Sequence, residues 1–313
     1  MKKQSVTALP DRTARHWYLL MILVGLWGTS FATTKIAVET IPPVWVSALR
    51  ISIGACLIVM YMFLRKQQLT MRWQHWLWFF WLALMGTVIP FMLISWGVQH
   101  VPSSIAGILM ATVPMAIIVL AHLLLPDEPL TPRKMAGFVI GFIGVVFLVG
   151  LGGLKSLESG PFQTLSLMGI TAAAFCYALN GTTARLMPEM SNTVKTAGVL
   201  IVGTLISVPF AFILSPDGLK DASTTSLLAV LALGIFPTAL ATILLFIILR
   251  EAGASFIALS NYLVPVFAVA TGVSLLGEVL QWNDWVGLVL VLSGIFVTER
   301  RKKTRKSTAV STH

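Results

Sequence analysis

Long apolar runs alternate along this chain with short clusters of turn-forming or charged residues. Ten runs come close to the about 20 residues that a helix needs to cross the hydrocarbon core of a bilayer; they cover roughly 17–37, 43–64, 74–97, 102–125, 134–152, 163–186, 195–214, 225–249, 254–277 and 283–299. The breaks are turn-like: Ile41-Pro42-Pro43, Val101-Pro102-Ser103, 126–132, 152–161, Met187-Pro188 and Ser215-Pro216-Asp217-Gly218. This pattern predicts an all-α integral membrane protein of ten transmembrane helices. It leaves a polar tail at 1–16, a connecting loop at 153–162 and a basic tail at 300–313.

The pattern also repeats. Ala111-Thr112-Val113-Pro114 in the fourth run is matched by Tyr262-Leu263-Val264-Pro265 in the ninth, 151 positions later. Each is followed by apolar residues and then an acid, Asp127 or Glu128 in the first copy and Glu278 in the second. Gly137 and Gly144 of the fifth run recur as Gly287 and Gly294 of the tenth. The chain therefore divides into two halves, 17–152 and 163–299. Five crossings per half is an odd number, so the second half starts on the opposite side from the first. That is an inverted repeat, and it predicts a solute site near the membrane midplane where the halves meet.

Composition supports this reading. Of 313 residues, 57% are hydrophobic and 11% charged, against about 25% charged in a soluble domain. The net charge of +10 does not point to nucleic acid, because no basic face is interleaved with aromatics. With an even number of helices both tails share a side. Eighteen Lys and Arg then fall on that side, and only Lys35, Arg50, Lys155 and Lys220 on the other. By the positive-inside rule both termini are cytoplasmic, and the basic tail anchors against anionic lipid. Cys56 and Cys176 lie in apolar runs and read as packed thiols, not as a disulfide. No leader cleavage site follows the first run, which is read as retained.

Several motifs together resemble the EamA family of the drug/metabolite transporter superfamily. They are Trp27-Gly28-Thr29-Ser30-Phe31, Ala48-Leu49-Arg50, Ser103-Ser104-Ile105-Ala106, Val113-Pro114 and Asp127-Glu128-Pro129-Leu130-Thr131 in the first half. The second half answers with Ala254-Ser255-Phe256-Ile257-Ala258, Val264-Pro265 and Leu276-Gly277-Glu278. Each motif alone is weak; their order, spacing and duplication over about 17–300 carry the resemblance. It implies ten helices with cytoplasmic termini in a bacterial inner membrane, and export of amino acids, aromatic ones included, or related metabolites.

Polar groups inside membrane helices are costly unless they face a cavity or a partner. Thr87, Phe91, Ser95 and Gln99 recur every four residues on the third helix and form one stripe. Aligning Pro90 with Pro237 pairs them with Thr238, Thr242 and Phe246 on the eighth. The two stripes face one cavity, or else serve small-residue helix packing. Met110 and Pro114 align with Asn261 and Pro265. These prolines, with Pro90 and Pro237, are candidate hinges or static bends. Trp27 and Ser30 align with Tyr177 and Asn180 at an offset of 150, so each half offers an aromatic and a hydrogen-bonding group. Trp96 could add stacking and Tyr262 an aromatic wall. Trp17, Trp73, Trp76 and Trp285 at helix ends read as interfacial anchors. Arg50 either attracts a solute carboxylate or pairs with Glu39 or Glu278; Lys35 and Glu39 are spaced to pair along one helix.

What is missing narrows the function. No Asp or Glu lies near the middle of any run, which disfavours proton-coupled efflux of cationic drugs, the alternative on the same fold. His122 sits late in the fourth run, where a structural role outweighs proton carriage. No metal spacing, phosphate loop or nucleophile elbow is present, so the chain reads as no enzyme, with no metal or cofactor and no obligate protein partner. Its partners are a small-molecule substrate and lipid. The expectation is facilitated export of small amphipathic metabolites by alternating access.

Overall fold

The computed structural model describes residues 13–69, 72–125, 130–159 and 161–299. Asp127, Glu128 and the basic tail lie outside them. All regular structure among the described residues is helical. Seven helical spans are long and apolar enough to cross a membrane, and two shorter apolar helices, Ser260–Leu276 and Trp282–Thr298, accompany them. Their outward faces carry large apolar side chains, such as Leu205 at 67% and Ile213 at 76% exposed. A water-soluble surface does not tolerate this over such an area, whereas lipid does.

In chain order, α1 covers Ala14–Ala37, α2 Pro43–Leu64 and α3 Trp73–Ala83; α3 passes through a π-helical turn at Leu84–Val88 into α4, Ile89–His100. Next come α5 (Ser103–Met110), α6 (Val113–Leu124) and α7 (Pro132–Ser159). The second half holds α8 (Pro161–Thr183), α9 (Asn192–Leu214) and α10 (Thr224–Leu233); a second π-helical segment, Gly234–Leu240, leads into α11 (Ala241–Glu251). The chain closes with α12 (Ala254–Ile257), α13 (Ser260–Leu276) and α14 (Trp282–Glu299).

Some boundaries differ from the sequence reading. The first helix begins at Ala14, inside the expected tail, with Thr13 as N-cap and its amide donating to His16 Nδ1 at 3.2 Å. The expected loop at 153–162 is helical as far as Ser159. Gly152 and Gly153 look like punctuation, but a glycine inside a helix costs only about 1 kcal/mol relative to alanine. The break comes instead just before Pro161, which opens α8, a position where proline's missing N–H goes unmissed.

The two π-helical segments begin 150 positions apart, at Leu84 and Gly234. Proline explains the second. Pro237 has no N–H to offer the Leu233 carbonyl, and the Thr238 hydroxyl donates to that carbonyl instead, at 2.8 Å. The fourth and ninth runs are both broken, at Ala111-Thr112 and at Ala258-Leu259. Pro114 lies in the first turn of α6, beside its break, whereas Pro265 is inside the continuous α13. The ninth run thus breaks upstream of its proline, and the fourth beside its own.

Bare backbone sets the closest helix contacts. A Cβ on Gly137 would stand 2.6 Å from the Gly294 carbonyl of α14, and one on Gly294 would stand 2.6 Å from the Gly137 carbonyl of α7. Elsewhere α1 packs on α13, α8 on α5 and α6, α4 on α8, α1 on α10 and α11, and α2 on α9. Cys56 is exposed and Cys176 only part-buried. The expectation of two packed thiols thus fails at Cys56, which is on the outward face of α2.

Candidate functional site

A cavity of about 540 Å³ lies among α1 to α6, α8, α9, α11 and α13 and the two π-helical segments. On α1 it is lined by Trp27, Ser30 and Thr34. Ser30 donates to the Trp27 carbonyl at 2.6 Å and Thr34 to the Ser30 carbonyl at 2.7 Å. Intrahelical bonds of this kind satisfy the hydroxyls and leave their lone pairs to accept from a solute. From the second half, α8 contributes Tyr177 and Asn180. Asn180 lies against the first π-helical turn, where a Cβ on Gly86 would stand 2.8 Å from its Oδ1; only glycine lets the amide sit so close.

Arg50 of α2 also lines the cavity and is only 8% exposed. Its Nε donates to Thr238 Oγ1 at 3.0 Å, and its guanidinium carbon stands 3.9 Å from the centre of the Phe91 ring. Thr238 is committed on both sides, since its hydroxyl donates to Leu233. Neither Glu39 nor Glu278 pairs with Arg50, contrary to one of the two expectations. Glu278 instead accepts from the Ser103 amide at 2.6 Å, the Ser103 hydroxyl at 2.9 Å, the Ser104 amide at 3.0 Å and the Ser104 hydroxyl. Lys35 does not pair with Glu39 either; its Nζ reaches the Val101 carbonyl at 2.8 Å. Among the described residues the terminal nitrogens of Arg50 make no hydrogen bond or ion pair with the protein, and a buried guanidinium facing an apolar cavity is a strong site for a carboxylate.

The other expected residues divide. Phe91, Met110, Thr238, Thr242, Phe246 and Asn261 are on the wall, as are Pro237 and Pro265. Ser95, Trp96, Gln99 and Tyr262 are not, nor are Pro90 and Pro114. Ser95 is buried off the cavity. Trp96 packs over Gly169 of α8 and against the His100 ring, 5.4 Å away. Gln99 donates to the Val38 carbonyl at 3.4 Å. Helical geometry explains the split on α4. Steps of four residues advance 400°, so a stripe drifts by about 40° per step. By Ser95 the stripe has turned off the wall, and Ile94 takes its place.

Lys195, Thr196 and Val199 of α9 line the cavity too and were missed by the sequence reading. Lys195 looked like a flanking charge at the start of its run.

Hydrogen bonds between helices knit one end of the bundle together. There the Glu278 cluster and the Lys35 and Gln99 bonds join α13, α1, α4 and α5, Trp45 Nε1 donates to the Ser215 carbonyl at 2.7 Å, and Ser226 Oγ to the Ile36 carbonyl at 2.9 Å. The wall continues toward the other end through Ala184, Lys195 and Phe246. His122, at the end of α6, does not line it.

Residues 15–150 and 164–300 each match the EamA-like transporter family. The chain is 24% identical over 282 residues to the uncharacterized transporter YoaV of Bacillus subtilis, covering 90% of this chain and 95% of that one. It is 27% identical over 286 residues to the protein PagO of Salmonella typhimurium, covering 90% and 91%. It is 26% identical over 296 residues to the uncharacterized inner membrane transporter YedA of Escherichia coli, covering 89% of each. A solved structure described only as the crystal structure of a protein superposes with a TM-score of 0.65 at 21% identity, over 92% of this chain and 98% of that one, and so shares the fold. Two successive matches that together span the helical bundle make this chain a multi-pass membrane protein of the EamA-like transporter family.

Proposed function

We propose that the chain carries small amphipathic metabolites with a carboxylate, amino acids and aromatic ones among them, out of a bacterial cell across the inner membrane. The observation that carries this reading is Arg50: a buried guanidinium, stacked on Phe91 and, among the described residues, without a hydrogen bond from its terminal nitrogens, in a cavity whose size falls in the range of about 300–1,000 Å³ usual for small-molecule sites. Trp27, Phe91, Tyr177 and Phe246 give the apolar body of such a solute its contacts.

The bundle is read as ten crossings in two inverted repeats. Helix pairings support this. Exchanging the halves turns α1 on α13 into α8 on α5 and α6, and α4 on α8 into α10 and α11 on α1, while α2 on α9 and α7 on α14 map onto themselves. The duplicated family match and the π-helical segments 150 positions apart agree with it. Both termini are assigned to the cytoplasm by the distribution of Lys and Arg. On that assignment the hydrogen-bonded end of the bundle faces outward, and transport proceeds by rocking of the halves about the cavity. Movement is facilitative, because among the described residues no Asp or Glu lines the cavity to relay a proton.

The test is counterflow of labelled amino acids into liposomes containing the purified protein, with and without a pH gradient. Uptake without a gradient, lost in Arg50→Gln, is the expected result. Uptake of organic cations alone would favour drug efflux and sink the reading.

A further inference from the structure

Two cations line the cavity, Arg50 and Lys195, and among the described residues no carboxylate does. They are at different depths. A Cβ on Gly203 of α9 would stand 3.1 Å from Ile51, so Gly203 marks the level of Arg50, the neighbour of Ile51. Lys195 lies eight residues earlier in α9, about 12 Å along the axis at 1.5 Å per residue. It is only part-buried and also borders a shallow groove with Glu189 and Arg185. Its Nζ has one weak contact, to the Ala184 carbonyl at 3.5 Å, and makes no ion pair with Glu189.

We infer that the preferred solute is an organic anion, an apolar carboxylate without a neighbouring ammonium, which passes from Lys195 near the mouth to Arg50 at depth. The inference rests on the transport reading above and narrows its substrate class. A carboxylate meets a complementary charge at both stations. An ammonium meets only neutral oxygens, from groups such as Asn180 and Asn261, and the repulsion of two cations in a low-dielectric cavity. A zwitterionic amino acid gains at one end what it loses at the other. Steering of the anion by Lys195 raises the rate at which it arrives, and ionic strength weakens that steering.

Three probes share one ring and chain and differ only in charge: 3-phenylpropanoate, phenylalanine and phenethylamine. Binding to the purified protein is read by calorimetry at low and high salt, apart from any flux. The anion is expected to bind about tenfold or more tightly than the zwitterion, as one charge-assisted contact commands, and the cation not to bind. Lys195→Gln should weaken anion binding several-fold and flatten its salt dependence, with Lys195→Arg restoring both. Arg50→Gln should abolish it, while Arg50→Lys keeps the charge and shows whether loss reflects misfolding. Phenylalanine or phenethylamine binding as tightly as the anion overturns the inference, and so does binding of none of the three. Anion binding without flux in liposomes would keep the inference and defeat transport; flux that favours phenylalanine over the anion would do the reverse.

Discussion

The Glu278 carboxylate accepts the Ser103 amide at 2.6 Å, joining the loop after α13 to the first turn of α5. Local sequence puts it there. Gly277 ends α13 at φ 65°, a left-handed conformation that favours glycine, and turns the next residue toward α5. The acceptor satisfies two amide donors that every helix start leaves open and meets the positive end of the helix dipole.

This cluster predicts a pH dependence of stability. Burial pushes the Glu278 carboxyl up, but the hydroxyl and amide of Ser104 and the amide and hydroxyl of Ser103 outweigh burial and hold it below the usual carboxylate range. A group whose pKa is depressed by folding stabilises above its unfolded pKa of about 4.3, and that stability is lost as pH falls through the folded value. Glu278→Gln should lower stability at pH 7 by about 1–3 kcal/mol. Melting of the purified protein across acidic pH should also show a weaker decline in the variant than in wild type. Equal slopes would mean that another carboxylate governs the acid limb.

The membrane-spanning helices were legible in the sequence because each runs as an apolar stretch of bilayer length. So was part of the cavity wall: Trp27, Ser30, Tyr177 and Asn180 followed from aligning the halves. The rest was hidden by helix rotation and by partner choice. A residue's face is fixed only to within the drift of its stripe, which took Ser95 and Gln99 off the wall. Partners of charged groups depend on which loops meet, so Glu278 looked available to Arg50 when two serines already held it. Lys195 was hidden because a charge at the edge of an apolar run reads equally as a topology anchor.

That drift yields a contrast on one helix. Phe91 underlies the Arg50 guanidinium, so Phe91→Leu removes a cation–π contact worth about 0.5–2 kcal/mol and should weaken solute binding up to about thirtyfold. Trp96→Leu, five residues on but packed on Gly169 and His100, should leave affinity unchanged while lowering the melting temperature. Binding isotherms of the two variants decide it. A larger affinity loss in Trp96→Leu would mean that the cavity extends along α4 beyond Ile94.

The close approach of Asn180 to Gly86 carries a further expectation. A methyl group on Gly86 would overlap the Asn180 amide, so Gly86→Ala should displace that side chain and reduce affinity. Asn180→Ala should have a similar effect, and the double variant should cost less than the sum, because both changes act on one amide. Additive losses in a double-mutant cycle would separate the two residues.

The contact of α7 with α14 tests whether stability and binding are separable. Gly137 and Gly294 each present bare backbone to the other's carbonyl, and a side chain at Gly294 has nowhere to go, since the atoms that obstruct it are all main chain. Interfaces of small residues draw their energy from close backbone packing, not from burial away from water. Gly294→Val should therefore force the helices apart and destabilise the fold by about 1–3 kcal/mol, the usual cost of overpacking. No described residue of α7 or α14 lines the cavity, so the fraction that folds should bind solute with unchanged affinity. Thermal unfolding and binding measured on the same preparation distinguish the cases. A weakened affinity would show that the position of this helix pair reaches the cavity through α5 and α6, on which α14 also packs.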